Sequence, residues 1–147
     1  MTSCLLDTSG FIHLQNGHPV ISKAFRAADR VAMNAVVVGE LLAGIRASRR
    51  HRPNEQFLNS FLSEPQVDLL AIDRATADCY ATLKDALRSA GTPVGRADLW
   101  IAASALQHGL TILTTDADFL RIPGILVNRA DPAGGRPLLR PRSRARP

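Results

Sequence analysis

The sequence is poor in the residues on which several common kinds of site depend. It has only two cysteines, Cys4 and Cys79, both in apolar surroundings, so we expect reduced, buried thiols rather than a disulfide framework. Its four histidines are scattered, and neither they nor the cysteines have the spacing of a zinc site. Aromatic residues make up only 5% of the chain, so Trp100 and Phe119 are assigned to the core rather than to a base-stacking surface.

Long apolar runs are also missing. No stretch approaches the roughly 20 residues of a membrane span, and the N-terminus lacks the basic and apolar blocks of an export signal. We therefore expect a cytoplasmic protein. With 46% hydrophobic and 21% charged residues over 147 positions, the chain has the composition and length of one globular domain with a proper core.

The positive charge is concentrated at the C-terminus. Residues 129–147 contain six arginines and one aspartate, whereas residues 1–128 contain twelve basic and twelve acidic residues. We predict a folded domain over 1–128 and a flexible basic tail, rich in Pro and Arg, over 129–147 that either contacts phosphates or only adds solubility. A second basic cluster, consisting of Arg46, Arg49, Arg50, His51 and Arg52, is either a solvated loop or a nucleic-acid contact.

Short apolar runs alternate with helical patterns along the domain. We predict strands over residues 4–6, 30–33, 67–71, 110–114 and 124–127, with helices between them except before the last strand. Val36–Val38 could prolong the second strand or open the following helix, and Thr8 or Ser9 could cap the first helix. This order predicts an α/β fold with a parallel sheet that helices cover on both faces.

Acidic residues interrupt the apolar segments at well-separated places. They are Asp7, Glu40, Asp98, Asp116 and Asp118. An unpaired buried carboxylate costs several kcal/mol, but a divalent cation can supply the missing charge. Ligands bind at the carboxyl ends of parallel strands, where strand order reverses, and Asp7 and Asp116 each end a predicted strand. Glu40 and Asp98 begin helices that leave this edge, so we expect one cleft that holds Mg²⁺ or Mn²⁺ through oxygen ligands.

Four segments in this order resemble one known family. They are Leu5-Leu6-Asp7-Thr8-Ser9, Gly39-Glu40-Leu41-Leu42-Ala43-Gly44-Ile45, Ala97-Asp98-Leu99-Trp100-Ile101-Ala102-Ala103 and Leu113-Thr114-Thr115-Asp116-Ala117-Asp118-Phe119. The chain from Leu5 to about Val127 resembles the PIN-domain ribonucleases, and within them the VapC-type toxins of type II toxin–antitoxin systems. The tail after Arg129 is not part of that pattern.

The resemblance implies a three-layer sandwich around a five-stranded parallel sheet, and Mg²⁺-dependent endonucleolytic cleavage of RNA. It further implies a VapB-like antitoxin that blocks the site, and a homodimer. Asp7, Glu40, Asp98 and Asp116 match the acidic quartet of the family, and Asp118 matches a further acidic position. Thr8 and Thr115 match hydroxyl positions that bind a carboxylate or a metal-bound water.

Our hypothesis assigns Asp7 and Asp98 as the main metal ligands, with Glu40 and Asp116 completing the pocket and orienting or deprotonating the attacking water. Which of Asp116 and Asp118 lies nearer the metal is left open. Arg96 binds either a phosphate or a pocket carboxylate.

Other functions are weighed against this hypothesis. A phosphatase with Asp7 as nucleophile would need a second acid at position 9, which is serine. One remaining alternative is a protein that does not catalyse a reaction and only binds antitoxin or nucleic acid through the same pocket. The other is a nuclease that cuts DNA, since nothing in the sequence identifies a residue that would recognise the 2′-hydroxyl of RNA.

Overall fold

A computed structural model describes residues 2–134 and contains one sheet of five parallel strands. The strands are β1 (Ser3–Leu6), β2 (Arg30–Asn34), β3 (Val67–Leu70), β4 (Thr111–Thr114) and β5 (Leu126–Arg129). Their spatial order is β3-β2-β1-β4-β5, and every neighbouring pair is parallel. The predicted α/β class with a parallel sheet is confirmed.

Within residues 2–134, six α-helices connect the strands and flank the sheet in a three-layer sandwich. They are α1 (Thr8–Gln15), α2 (Pro19–Ala27), α3 (Ala35–Arg46), α4 (His51–Leu62), α5 (Arg74–Ala90) and α6 (Arg96–His108). Short 3-10 helices cover Ala117–Arg121 and Pro132–Gly134. No helix within residues 2–134 combines the length and apolarity needed to cross a bilayer.

The strand order reverses between β1 and β4. From β1 the chain proceeds outward through β2 to β3, and it then returns to place β4 on the other side of β1. The register pairs Leu6 with Leu113, so the residues that follow, Asp7 and Thr114, emerge side by side at the carboxyl edge. A reversal of this kind leaves a crevice at the strand ends, where ligands of open α/β sheets bind.

The core lies on both faces of the sheet. Its largest fully buried side chains include Phe11, Phe119, Leu5, Leu6 and Met33. Phe119 thus belongs to the core as predicted, whereas Trp100 is only half-buried and stacks on Tyr80 with ring centroids 4.2 Å apart.

Several boundaries differ from the predictions. The last strand begins at Leu126 rather than at 124, because Gly124 adopts a positive φ of 81° in the turn before it. Val36–Val38 belong to α3, since Asn34 accepts a hydrogen bond from the Val37 N–H and caps the helix there. The cap of α1 is neither Thr8 nor Ser9 but Asp7.

The cysteines and the C-terminal segment also refine the predictions. Cys4 and Cys79 are free thiols, as expected, but they are half-buried, and burial raises the pKa of Cys4 to about 11. The first residues of the predicted tail contact the domain, because Ala130 is buried and its N–H donates to the Thr114 carbonyl at 2.8 Å. Residues 135–147 of that tail lie outside the described residues.

Candidate metal centre

Asp7 lies at the carboxyl end of β1 and is 3% exposed. Its Oδ1 accepts a hydrogen bond from the Gly10 N–H at 2.8 Å, which caps α1. Its Oδ2 accepts from the Thr114 hydroxyl at 2.8 Å, and the Ser9 hydroxyl lies 3.1 Å from both oxygens. Burial raises the pKa of Asp7, these hydrogen bonds oppose that shift, and the charge of Asp116 adds to it. Asp7 is therefore held in a single orientation by its neighbours.

Gly10 allows α1 to begin this close to the sheet. A Cβ atom at this position would lie 2.5 Å from the Leu113 carbonyl oxygen and 2.9 Å from Asp7 Oδ1. Only glycine can therefore bring the first turn of α1 against the end of β4 while its N–H reaches Asp7.

Asp98, Asp116 and Asp118 form the tightest acidic cluster in the described part of the chain. Each offers a carboxylate oxygen, and these oxygens all lie within 4.8 Å of one another. Asp98 is in the first turn of α6, while Asp116 caps the 3-10 helix after β4 by accepting from the Asp118 N–H at 2.9 Å. All three are half-buried, which leaves the cluster open to a ligand.

Glu40 approaches the cluster from α3 and is exposed. Its Oε1 accepts a hydrogen bond of 2.7 Å from the Thr8 hydroxyl, which links α3 to the first residue of α1. The charge of Glu40 acts on Asp98, so the two side chains face the same cleft. Glu40 is thus more exposed than the other acids of the set, which are buried or half-buried.

Buried Asn34 ties the helix that bears Glu40 to the helix that bears Asp98. Its Oδ1 caps α3 by accepting from the Val37 N–H at 3.0 Å. Its Nδ2 donates to the Ser104 hydroxyl at 3.0 Å and to the Trp100 carbonyl at 3.3 Å, both on α6. One side chain therefore fixes the position of α3 relative to α6.

The electrostatics of the cleft are strongly one-sided. The pKa of Asp98 is raised to about 6, first by burial and then by the charges of Asp116, Glu40, Asp7 and Asp118 in that order. Among residues 2–134, no Arg, Lys or His lies within 4.0 Å of the carboxylates of Asp7, Glu40, Asp98 or Asp116. Asp118 alone has an ion pair, with Arg121 at 3.6 Å. The cleft thus carries negative charge that the described residues leave uncompensated.

The cleft fits a hard divalent cation. Its donors are carboxylate oxygens, the ligands that Mg²⁺ and Mn²⁺ prefer, and three of them lie close enough together to share one ion. A bound cation would relieve the mutual repulsion that raises the pKa of Asp98.

The arginines near the cleft do not supply this charge. Arg96, at the first position of α6, is exposed and makes no ion pair within residues 2–134. Of its two predicted roles, pairing with a pocket carboxylate is therefore not seen. Arg129 donates from Nε to the Thr115 carbonyl at 3.2 Å and so lies beside the same sheet edge.

Two hydroxyl residues of the site were missing from the sequence-based set. Ser9 and Thr114 hold Asp7, and Thr114 Oγ1 also accepts from the Asp116 N–H at 2.9 Å. Thr115, which was in the set, instead directs its hydroxyl toward His13 Nδ1 at 3.5 Å and its N–H toward Ser9 Oγ at 3.2 Å. The register of β1 and β4, which no local pattern gives, decides that Thr114 and not Thr115 faces Asp7.

His13 contacts two of these hydroxyl residues, Ser9 and Thr115. It is half-buried, with Nδ1 at 2.9 Å from the Ser9 carbonyl oxygen. Its ring packs edge-on against that of buried His18, with ring centroids 5.4 Å apart. This packing fixes the position of His13 beside the first turn of α1.

This fold and this acidic cleft are those of a PIN domain. Residues 4–125 match the PIN domain family model, and the chain belongs to that family. The similar proteins within it include VapC ribonucleases: Ribonuclease VapC5 of Mycobacterium tuberculosis is 33% identical over 120 residues, covering 82% of this chain and 87% of the relative.

Solved structures agree with this relationship. The crystal structure of DNA-bound VapBC from Salmonella typhimurium contains a chain with a TM-score of 0.78 and 28% identity, covering 88% of this chain and 98% of that one. A chain of VapBC-5 from Mycobacterium tuberculosis, a member of the VapBC family of toxin–antitoxin systems, has a TM-score of 0.69 and 30% identity, covering 88% and 100%.

Proposed function

We propose that this chain is a Mg²⁺-dependent endoribonuclease and the toxin component of a toxin–antitoxin pair. The observation that carries the proposal is the group of three carboxylates within 4.8 Å at the strand-order reversal, in a cleft where the described residues give Asp98 and Asp116 no cationic partner. The similarity to proteins named VapC ribonucleases supports RNA as the substrate. The reaction is hydrolysis of a phosphodiester bond.

The proposed metal set consists of Asp7, Glu40, Asp98 and Asp116, which act directly or through water, and Asp118 joins them because of its place in the cluster. Mn²⁺ is the alternative ion, since the donors are the same. When bound, the ion lowers the pKa of water and neutralises charge that develops on the phosphodiester.

The protein residues divide the remaining work. Asp98 and Asp116 present the half-buried oxygens that face the opening, whereas Asp7 contributes its charge from behind them, held by Ser9 and Thr114. Glu40 keeps Oε1 on the Thr8 hydroxyl, and in our proposal its Oε2 accepts the proton of the attacking water. Arg96, exposed at the start of α6, contacts a phosphate of the substrate.

Attack by water would leave 5′-phosphate and 3′-hydroxyl ends. Attack by the neighbouring 2′-hydroxyl would instead leave a cyclic phosphate and would not require the metal cleft. Product ends therefore distinguish the proposed reaction from the usual metal-independent cleavage of RNA.

The experiment is cleavage of total cellular RNA by the purified protein, in Mg²⁺ or in EDTA, with mapping of the product ends. We expect Mg²⁺-dependent fragments with 3′-hydroxyl ends, and no cleavage by Asp7→Asn or Asp98→Asn. Asp85→Asn is the matched control, because the same change is made on an exposed side chain of α5 that pairs only with Arg88 among residues 2–134. Wild-type rates for Asp7→Asn in Mg²⁺ would contradict the proposal, as would equal cleavage in EDTA. Parallel reactions with DNA test the alternative substrate.

The partners follow from the same relationship. The relatives solved as VapBC complexes support a VapB-like antitoxin, which would be encoded beside this protein, and a cytoplasmic location where RNA and antitoxin are both available. We expect the wild-type chain, but not Asp98→Asn, to stop growth when it is expressed without the neighbouring reading frame. The proposed homodimer is checked by light scattering, against the mass of 15.9 kDa for one chain.

A further inference from the structure

We infer that the RNA strand leaves the acidic cleft along the groove between α1 and α3 and that its phosphates bind the basic cluster at the end of this groove. The basic cluster consists of Arg46, Arg49, Arg50, His51 and Arg52. This inference rests on the proposed function, because it takes RNA as the substrate. It assigns a second binding surface to the same substrate.

The groove has a volume of about 320 Å³, begins beside Glu40 and is lined largely by apolar side chains, among them Phe11, Ile12, Leu41 and Ile45. At one end, Thr8 donates to Glu40, and both residues line the groove. At the other end, Gln15 donates from Nε2 to Asn54 Oδ1 at 3.2 Å, and Ser48 lies beside them. The groove therefore runs between α1 and α3 from the Thr8–Glu40 pair toward the connection between α3 and α4. In our inference its apolar walls face the bases of the strand, while the phosphates reach the basic cluster.

The basic cluster occupies that connection. Arg46 ends α3, and His51 and Arg52 begin α4, so the five residues lie in and beside the connection at which Ser48 and Asn54 line the groove. Every member of the cluster is exposed. Arg46 has an ion pair with Glu55 at 3.7 Å, but Arg49, Arg50 and Arg52 have none among residues 2–134.

Stability does not account for this concentration of charge. Two arginines, Arg50 and Arg52, lie at the N-terminal end of α4, where the helix dipole disfavours positive charge. Four like charges within seven positions also repel one another. A polyanion that lies over the cluster would remove both penalties.

The substrate needs such a binding surface because the cleft itself is negative. Residues 1–128 contain equal numbers of acidic and basic residues, so the domain as a whole gives no attraction for RNA. Arg side chains that bind phosphates position a nucleic acid without reading its sequence. Glu40 and Arg46 are six positions apart in α3, about 9 Å along the helix axis. The basic cluster would thus hold phosphates a short distance along the strand from the bond that is cut.

The test compares two double variants that remove the same charge. Arg49→Gln with Arg52→Gln removes two arginines of the cluster, and Lys23→Gln with Arg26→Gln removes two exposed cations of α2. Binding of a fluorescent single-stranded RNA of mixed sequence is measured by anisotropy in EDTA, so that no RNA is cut, over a series of salt concentrations. Cleavage of total RNA in Mg²⁺ is measured in parallel.

For the cluster variant we expect the slope of log K against log salt to fall by about 0.7 for each phosphate that is no longer neutralised, about 1.4 in all. The α2 variant keeps the wild-type slope. Arg49→Lys with Arg52→Lys keeps most of it, because the charge remains. Thermal unfolding shows that each variant is folded.

The outcomes separate this inference from the proposed function. If the wild type cuts RNA but the cluster variant keeps the wild-type slope and cleavage rate, the inference is overturned and the nuclease remains. If the wild type does not cut RNA but only the cluster variant has a reduced slope, the surface remains and the nuclease fails. The inference is overturned if both double variants reduce the slope equally, or if the wild type does not bind RNA. This holds even if the basic cluster proves to bind an acidic protein partner.

Discussion

At the scale of single residues, the site depends on the hydroxyl groups that hold Asp7. Thr114 donates to Asp7 Oδ2 and accepts from the Asp116 N–H, so it joins two members of the proposed metal set. Replacing a group that orients a metal ligand typically lowers metal affinity or activity by about 10–100-fold.

Thr114→Val should therefore lower RNA cleavage by about 10–100-fold and raise the Mg²⁺ concentration needed for half-maximal rate. The matched control is Thr115→Val, which removes a neighbouring hydroxyl whose nearest polar side-chain contact is His13 at 3.5 Å. Mg²⁺ titration of the cleavage rate, with thermal unfolding of each variant, makes the comparison. If Thr115→Val had the larger effect on the Mg²⁺ requirement, the assignment of roles to these two threonines would be wrong.

Asp98 should make the metal-free protein more stable in mild acid. Its pKa in the folded state is about 6, whereas an ordinary Asp in an unfolded chain titrates near 3.9. The folded state therefore binds the proton more tightly, so this contribution is fully present below about pH 4 and is lost as pH rises through about 6.

In EDTA, Asp98→Asn should unfold at a higher temperature than the wild type at pH 7.5, and the difference should shrink toward pH 4.5. The difference between the two proteins isolates Asp98 from other groups that titrate, such as Asp73, whose pKa is lowered by its capping hydrogen bonds. If the difference between the two unfolding temperatures stayed constant from pH 7.5 to pH 4.5, the pKa of Asp98 would not be raised in the folded state.

At the scale of secondary structure elements, the closest packing is between the start of α1 and the end of β4. Gly10→Ala would bring a Cβ atom to 2.5 Å from the Leu113 carbonyl oxygen, so α1 would have to move away from Asp7. We expect the free energy of unfolding to fall by about 1–3 kcal/mol, and cleavage to be abolished, because the cap on Asp7 is displaced.

The control for this substitution is Gly39→Ala in α3. Apart from its chain neighbours and the backbone of α3 itself, no atom lies within 4 Å of the Cβ position there, so the change should stabilise the helix by about 0.5–1 kcal/mol. Urea denaturation of the two variants gives both values. A neutral Gly10→Ala would mean that α1 is not packed against β4 as described.

The order and type of the elements could be predicted because the signals are local. Asp73 and Gly91 bound α5 with a capping box and a left-handed C-cap, and the sequence shows both. The start of β5 could not be placed, since Ile125 is as apolar as the strand and only the turn at Gly124 excludes it.

The sequence was sufficient to predict which carboxylates belong to the site, but not which groups they bond to by hydrogen bonds or how exposed they are. Acids that interrupt apolar runs are visible in the sequence, and strand ends suggest where they lie. The hydrogen bond from Thr114 to Asp7 spans 107 positions and depends on strand register, while the exposure of Glu40 depends on how α3 packs. Neither leaves a local pattern.

At the scale of the whole molecule, a cation should act as a structural component. An ion that binds only the folded state raises the free energy of unfolding, and the increase grows with the logarithm of the ion concentration divided by its dissociation constant. At a concentration one hundred times the dissociation constant, the increase is about 2.7 kcal/mol. We expect the unfolding temperature of the wild type to rise with Mg²⁺ or Mn²⁺ and that of Asp98→Asn to change far less. Equal shifts in both proteins would indicate that the ion binds elsewhere; Ca²⁺ and Na⁺ titrations provide the comparison with other ions.

The position of β1 in the middle of the sheet determines when the cleft can form during translation. Asp7 is among the first residues made, yet the strand that completes its surroundings ends at Thr114. At 5–20 residues per second, about 5–20 s of translation separate Asp7 from Asp116. A nascent chain thus keeps these acids apart until late in synthesis, so the cleft can assemble only after nearly the whole domain has been translated.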